Sequence, residues 1–133
     1  LNIGDGSVMY SASAFWTMAR YGVPVTTVVW NNYNYQTVRN AFYRLQGSAV
    51  QQGKYPGMFL GEPAIDFSML AKSQGVGGEK VTAADDIAPA LKRGLDAQKR
   101  GEPYVIEVVI TRVGGGAESE WHQKFNLAME NQK

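Results

Sequence analysis

The 133-residue chain contains no cysteine and only one histidine. The first absence excludes disulfides, thiolate metal sites and cysteine nucleophiles together. The second leaves His122 as the sole imidazole. Flanked by Glu120, Trp121 and Gln123, it reads as a surface residue rather than a catalyst. No apolar run approaches the roughly 20 residues that span a bilayer. Nor does the chain open on a basic segment followed by an apolar stretch. A membrane is therefore not expected as a partner, and a cytoplasmic location is the default. Charge of one sign is missing too. Thirteen basic residues face twelve acidic ones, for a net charge of +1, and the basic residues are scattered. That excludes the basic patch a nucleic-acid partner would need.

What remains is ordinary for a globular domain: 44% apolar residues, 19% charged, and length enough for one core. Leu1-Asn2-Ile3 reads as the end of a strand running into Gly4-Asp5-Gly6. A strand without upstream neighbours has nothing to pair with, so the chain is expected to be a fragment of a larger domain. Ser7 is a candidate helix N-cap, with Val8, Ala12, Phe15 and Ala19 at helical spacing and Gly22 as terminator. Val25 to Trp30 is a β-branched run suited to a strand buried on both faces. A helix follows from about Tyr35 to Leu45, with Val38, Phe42 and Leu45 on one face. Residues 46–64 read as a long loop. Asp66 can cap a short helix that Gly75 ends, and a strand is expected near Val76–Val81. Asp85 to Arg100 forms an amphipathic helix with Ile87, Leu91 and Leu95 as its stripe. Tyr104 to Ile110 is a last buried strand. This alternation predicts an α/β fold, a parallel sheet with helices on both faces.

Ligands of open parallel sheets bind beyond the carboxyl ends of the strands. Two of those ends carry unusual residues, Gly4-Asp5-Gly6-Ser7 and Asn31-Asn32-Tyr33-Asn34. Side by side, Asp5 would offer a carboxylate, Asn32 an amide oxygen and the Tyr33-Asn34 turn a main-chain carbonyl. One negative charge among hard oxygens is too little for an all-protein calcium cage. It fits Mg²⁺ completed by phosphate oxygens and water. The glycines allow a phosphate to approach the backbone, and a helix beginning near Ser7 would present free N–H groups to it.

Gly4-Asp5-Gly6, followed after 24 residues by Asn31-Asn32, resembles the diphosphate-binding signature of thiamine-diphosphate-dependent enzymes. Phe15-Trp16-Thr17, Tyr21, Pro24, Ile65-Asp66-Phe67, Leu70-Ala71-Lys72, Gly75-Val76, Pro103 and Glu107 extend the likeness to the benzoylformate decarboxylase and acetolactate synthase group. It covers residues 1–111. The resemblance implies the thiamine-diphosphate-binding fold, with Asp5, Asn32 and the Asn34 carbonyl as Mg²⁺ ligands. Gly4, Gly6, Ser7 and the backbone around Tyr35 would meet the diphosphate. Val38 would line the substrate pocket or pack in the core. The sequence departs from the family in the turn after the paired asparagines, which often holds a glycine and here reads Tyr33-Asn34-Tyr35-Gln36. Asn34 is the residue expected to take up unusual backbone angles there.

The resemblance further implies an enzyme that cleaves or forms C–C bonds next to a carbonyl, foremost a 2-keto acid decarboxylase acting on a small molecule. An acetolactate-synthase-like ligase, a 2-hydroxyacyl lyase and a C–C bond hydrolase are alternatives. Outside that class stand a non-catalytic nucleotide-binding module and a metal-only domain. The activating glutamate belongs in the family to a pyrimidine-binding domain of the same or a neighbouring subunit. A homodimer or homotetramer is therefore expected, and these residues are expected to be inactive alone. Residues 112–133 lie outside the likeness. Gly114-Gly115-Gly116 reads as a flexible hinge, and Trp121, Phe125 and Met129 at helical spacing suggest either an ordinary docking helix or, as expected here, a lid in which residues 117–130 cover the active-site entrance.

Overall fold

The computed structural model describes residues 1–122. Strand β1 (Asn2–Gly4) leads into a single helical turn, α1 (Asp5–Val8), and a separate helix α2 (Ala14–Arg20). The continuous helix expected from Ser7 onward is thus broken at residues 9–13. Gly4, in extended conformation, stands at the N-cap position, and Ser7 lies inside the first turn. Strand β2 (Thr26–Asn31) precedes α3 (Gln36–Arg44) and α4 (Ser48–Gln51), a short helix inside the predicted loop. Then come α5 (Phe67–Ser73), β3 (Gly77–Val81), α6 (Ile87–Lys99) and β4 (Tyr104–Val109). Asp66 caps α5 as expected, its carboxylate accepting from the Met69 amide at 2.8 Å.

All four strands are parallel, in the order β1-β2-β4-β3. Side chains alternate across the sheet with period two. Val29 and Val105 face one layer and pack with Val8, Phe15, Phe67, Ala71 and Val76 from α1, α2, α5 and the approach to β3. Val28, Ile106 and Val108 face the other layer and pack with Ala90 of α6. Helices therefore cover both faces. None of the helices among the described residues is long and apolar enough to cross a membrane.

Two apolar stripes turn out otherwise than their spacing suggests. The buried residues of α6 are Ala90, Gly94 and Ala97, whereas Leu91 and Leu95 are exposed. Small residues bring the helix axis close to the sheet, and a Cβ on Gly94 would stand 2.6 Å from Thr26 Cγ2. Leu91 and Leu95 then border an apolar groove with Leu1, Val28 and Trp30. On α3 the one buried residue is Arg39, while Val38 and Leu45 are exposed. The period of a pattern identifies a helix, but not which of its faces finds a neighbour.

Candidate functional site

Pairing of Gly4 with Trp30 sets the ends of β1 and β2 side by side. Asp5 and Asn31–Asn34 consequently meet above the sheet. Asp5 is 2% exposed. Its Oδ1 accepts from the Gly6 amide at 2.8 Å and its Oδ2 from the Asn34 amide at 3.1 Å. The same Asn34 amide donates to Asn32 Oδ1 at 3.0 Å. The two side-chain oxygens expected to share a cation thus converge on a single N–H.

The turn between them is held from several sides. Asn31 Oδ1 accepts from the Tyr33 amide at 3.0 Å, and the Tyr33 carbonyl accepts from the Leu60 amide at 2.7 Å. Tyr33, not Asn34, adopts the left-handed conformation, with φ of 56°. For a non-glycine residue this costs about 1 kcal/mol or more, and the surrounding bonds must offset it. Asn34 bridges to Phe59 through the Tyr33 carbonyl and the Tyr35 amide, so its own carbonyl takes no part in the bridge.

A cleft of about 230 Å³ opens over these residues, lined by Gly4, Asp5, Gly6, Ser7, Asn32, Asn34, Tyr35 and Val38. Every residue expected to meet the cation, the diphosphate or the substrate lines it. Two of the backbone groups expected to meet a phosphate are already engaged. The Gly6 amide is taken by Asp5, and the Tyr35 amide donates to the Met58 carbonyl at 3.0 Å. Tyr35 instead contributes its ring, which lies so close to Gly6 that a Cβ there would be 2.6 Å from the ring. Val38 is 49% exposed. It belongs to the cleft wall with Tyr10, Trp30 and Ile110, not to the core.

The residues fit a cation-bound diphosphate on a further count. Among the described residues, no basic side chain forms an ion pair with Asp5. Burial raises its carboxyl above the ordinary 3.8, against the pull of the amides of Gly6, Asn34, Tyr33 and Asn32. A buried carboxylate without a cationic partner is costly unless an ion compensates it. Among the described residues, no group of three or more His, Cys, Asp or Glu side chains is placed to hold a metal ion. A metal here would need amide, carbonyl and phosphate oxygens.

Beneath the turn lies a hub that sequence reasoning touched only as part of a likeness. Glu107 of β4 is fully buried. Its Oε1 accepts from Asn31 Nδ2 at 2.8 Å and faces Lys80 Nζ at 3.2 Å. Its Oε2 accepts from the Phe67 and Ser68 amides at 2.8 and 3.2 Å. Burial pulls the Lys80 pKa down, but Glu107, with smaller help from Tyr33 and Asp66, more than offsets it and the net shift is upward. The available signal was an acidic residue in the middle of a buried apolar strand, which must find partners.

The residues after β4 also depart from expectation. Gly114–Gly116 is a packed saddle, not a hinge: Cβ atoms there would strike Asn40, Tyr43 and Tyr55. His122 Nε2 lies 3.8 Å from Glu62 Oε2, and its ring is 28% exposed. Phe125 and Met129, and with them most of the expected lid, fall outside the described residues.

Fold and cleft together define a parallel α/β domain with a cleft at the carboxyl ends of two adjacent strands. The chain belongs to the family described as thiamine pyrophosphate enzyme, C-terminal TPP binding domain, whose model matches residues 1–108. It is 33% identical over 117 residues, 84% of its length, to IlvX of Mycobacterium tuberculosis, assigned as an acetolactate synthase large subunit. It is 31% identical over 106 residues, 80% of its length, to benzoylformate decarboxylase of Pseudomonas aeruginosa. These matches cover 21% and 18% of the two relatives. Among solved structures it resembles a thiamine diphosphate-dependent 4-hydroxybenzoylformate decarboxylase of Rhodococcus jostii, with 36% identity and a TM-score of 0.69. That match covers 83% of this chain and 19% of the other. The chain thus spans about a fifth of the length of its relatives.

Proposed function

We propose that this domain holds the diphosphate of thiamine diphosphate through Mg²⁺, within an enzyme that cleaves or forms C–C bonds beside a carbonyl. The observation that carries the reading is the convergence of Asp5 Oδ2 and Asn32 Oδ1 on the Asn34 amide, at the floor of the cleft. Asp5, Asn32 and the Asn34 carbonyl would ligate the ion, and Gly4, Gly6, Ser7 and Tyr35 would border the diphosphate. When bound, the cofactor supplies a nucleophilic carbon and an electron sink. This chain's residues bind and orient it. The glutamate that activates the aminopyrimidine comes, on this reading, from a pyrimidine-binding domain of the same or a neighbouring subunit. The working enzyme is then a homodimer or homotetramer, and the present residues alone turn nothing over.

Within this reading a 2-keto acid decarboxylase is the leading activity, supported by the relatives from Pseudomonas aeruginosa and Rhodococcus jostii. The match to IlvX supports acetolactate-type ligation as the second. Incubating the full-length, cofactor-loaded protein with pyruvate or benzoylformate separates the two. Both release CO₂, but a decarboxylase leaves the free aldehyde, whereas a ligase couples the remaining fragment to a second 2-keto acid as a 2-hydroxy-3-keto acid. Release of neither product would sink both activities.

The raised Asp5 carboxyl gives a pH prediction. A higher pKa means that the proton is retained at higher pH, and a protonated carboxyl is not a metal ligand. Mg²⁺-dependent cofactor affinity should therefore fall on acidification before an ordinary aspartate, with its pKa of about 3.9, would titrate. The stability sign is opposite. The Asp5 contribution to the metal-free fold is complete below its unfolded value and is lost as pH rises through the raised folded value. Cofactor affinity that stays flat down to about pH 4, the ordinary aspartate range, would contradict the assignment.

A further inference from the structure

The segment after Thr111 lies beyond the family match, yet it docks beside the cation-binding turn. Its anchor is Arg39 of α3, which is fully buried. Arg39 Nη1 donates to the Gly116 carbonyl at 2.5 Å and to the Ser119 carbonyl at 2.7 Å. The guanidinium stands 4.8 Å over the Tyr55 ring. Among the described residues, Nε and Nη2 have no hydrogen-bond partner. A buried guanidinium bonded to backbone carbonyls rather than to a carboxylate gains little from the ion itself. What it fixes is the path of residues 116–119.

That path ends on the site. The Ala117 carbonyl, itself buried, accepts from Asn34 Nδ2 at 3.2 Å. The Gly115 amide donates to Asn40 Oδ1 at 3.0 Å, and Ser119 Oγ donates to the Gly53 carbonyl at 2.6 Å. Gly114 and Gly116, at φ of 120° and 66°, adopt backbone angles that side-chain-bearing residues avoid. Arg112 closes the loop on Glu120 at 2.6 Å. Asn34 is thereby gripped twice: by its side chain from the clasp, and by its amide from Asp5 and Asn32.

We infer that residues 114–119, buttoned down by Arg39, are a positioning clasp that fixes the Asn34 turn and so sets the affinity of the site for the cation-bound diphosphate. The inference rests on the diphosphate reading above, but its mechanical half does not. Hydrogen exchange at the Tyr33, Asn34 and Tyr35 amides reports the turn without any cofactor. Gly116→Val dislodges the clasp, since a side chain there strikes Tyr55. Arg39→Met removes the button while keeping helix and bulk, and Arg39→Lys restores an ammonium that can reach a carbonyl.

In the full-length protein, the valine and methionine variants should exchange the 33–35 amides at least about tenfold faster, with β2 and β4 protection unchanged. The dissociation constant for thiamine diphosphate with Mg²⁺ should rise by a similar factor, about 1.4 kcal/mol, and Arg39→Lys should recover part of both effects. Unchanged 33–35 protection and affinity, with the 114–119 amides exchanging freely, would overturn the inference. So would loss of β2 and β4 protection, which would make the segment a folding element. If the unmodified protein binds no thiamine diphosphate, the cofactor reading fails, and the exchange result alone decides the clasp.

Discussion

Asp5→Ala is expected to abolish Mg²⁺-dependent retention of thiamine diphosphate in the full-length protein. Changes to groups that merely orient a ligand cost about 10–100-fold in metal affinity, and removal of the only carboxylate in the set should exceed that. Asn32→Ala removes a neutral ligand and should act in the same direction but more weakly. The stability effect of Asp5→Ala should be small, although Asp5 is buried. Loss of the bonds to the Gly6 and Asn34 amides costs about 1–3 kcal/mol for groups left unpaired. Removal of a carboxylate that burial already penalises offsets part of that. Equilibrium dialysis of cofactor with and without Mg²⁺, beside a thermal melt, checks both halves. Wild-type retention in either variant would dismiss the metal assignment.

Glu107→Ala should have the largest effect on stability. The carboxylate serves Asn31 Nδ2, Lys80 and the amides at the start of α5; its removal strips the partner from Asn31 Nδ2 and from both amides, and leaves Lys80 only the longer contact to Asp66, at 3.8 Å. Breaking such a buried set by deleting one member costs about 3–5 kcal/mol. Glu107→Gln keeps the shape and one acceptor and should cost less. Because Asn31 also holds the Tyr33 amide, the loss should reach the Tyr33-Asn34 turn and, on the proposed reading, weaken cofactor binding. Urea unfolding measures the first effect. A change under about 1 kcal/mol, the scale of one hydrogen bond, would show that Glu107 is not the hub described here.

The positions of Asp5 and Asn32 were legible in the sequence because strand ends are local features. A β-branched run stops where polar, glycine-rich residues begin, and a parallel sheet brings such ends together. The caps at Asp66 and the strands β2 and β4 were legible for the same reason. The helix break at residues 9–13 was not, because Val8, Ala12 and Phe15 keep helical spacing across it. The exposed stripe of α6 depends on Gly94 approaching Thr26, a contact between residues distant in sequence. Arg39 was invisible as a buried residue, since its partners are carbonyls almost eighty positions away and carry no side-chain signature. The three glycines at 114–116 read as freedom by composition. They are instead small because Asn40, Tyr43 and Tyr55 occupy the space where side chains would be.

Calorimetric titration of the full-length protein with thiamine diphosphate, against ADP, in Mg²⁺ and then in excess chelator, tests the central claim most directly. The account predicts binding of thiamine diphosphate in Mg²⁺, its loss in chelator and in Asp5→Ala, and no comparable binding of ADP. Equal binding of ADP, or binding of thiamine diphosphate that ignores both Mg²⁺ and Asp5, would contradict it.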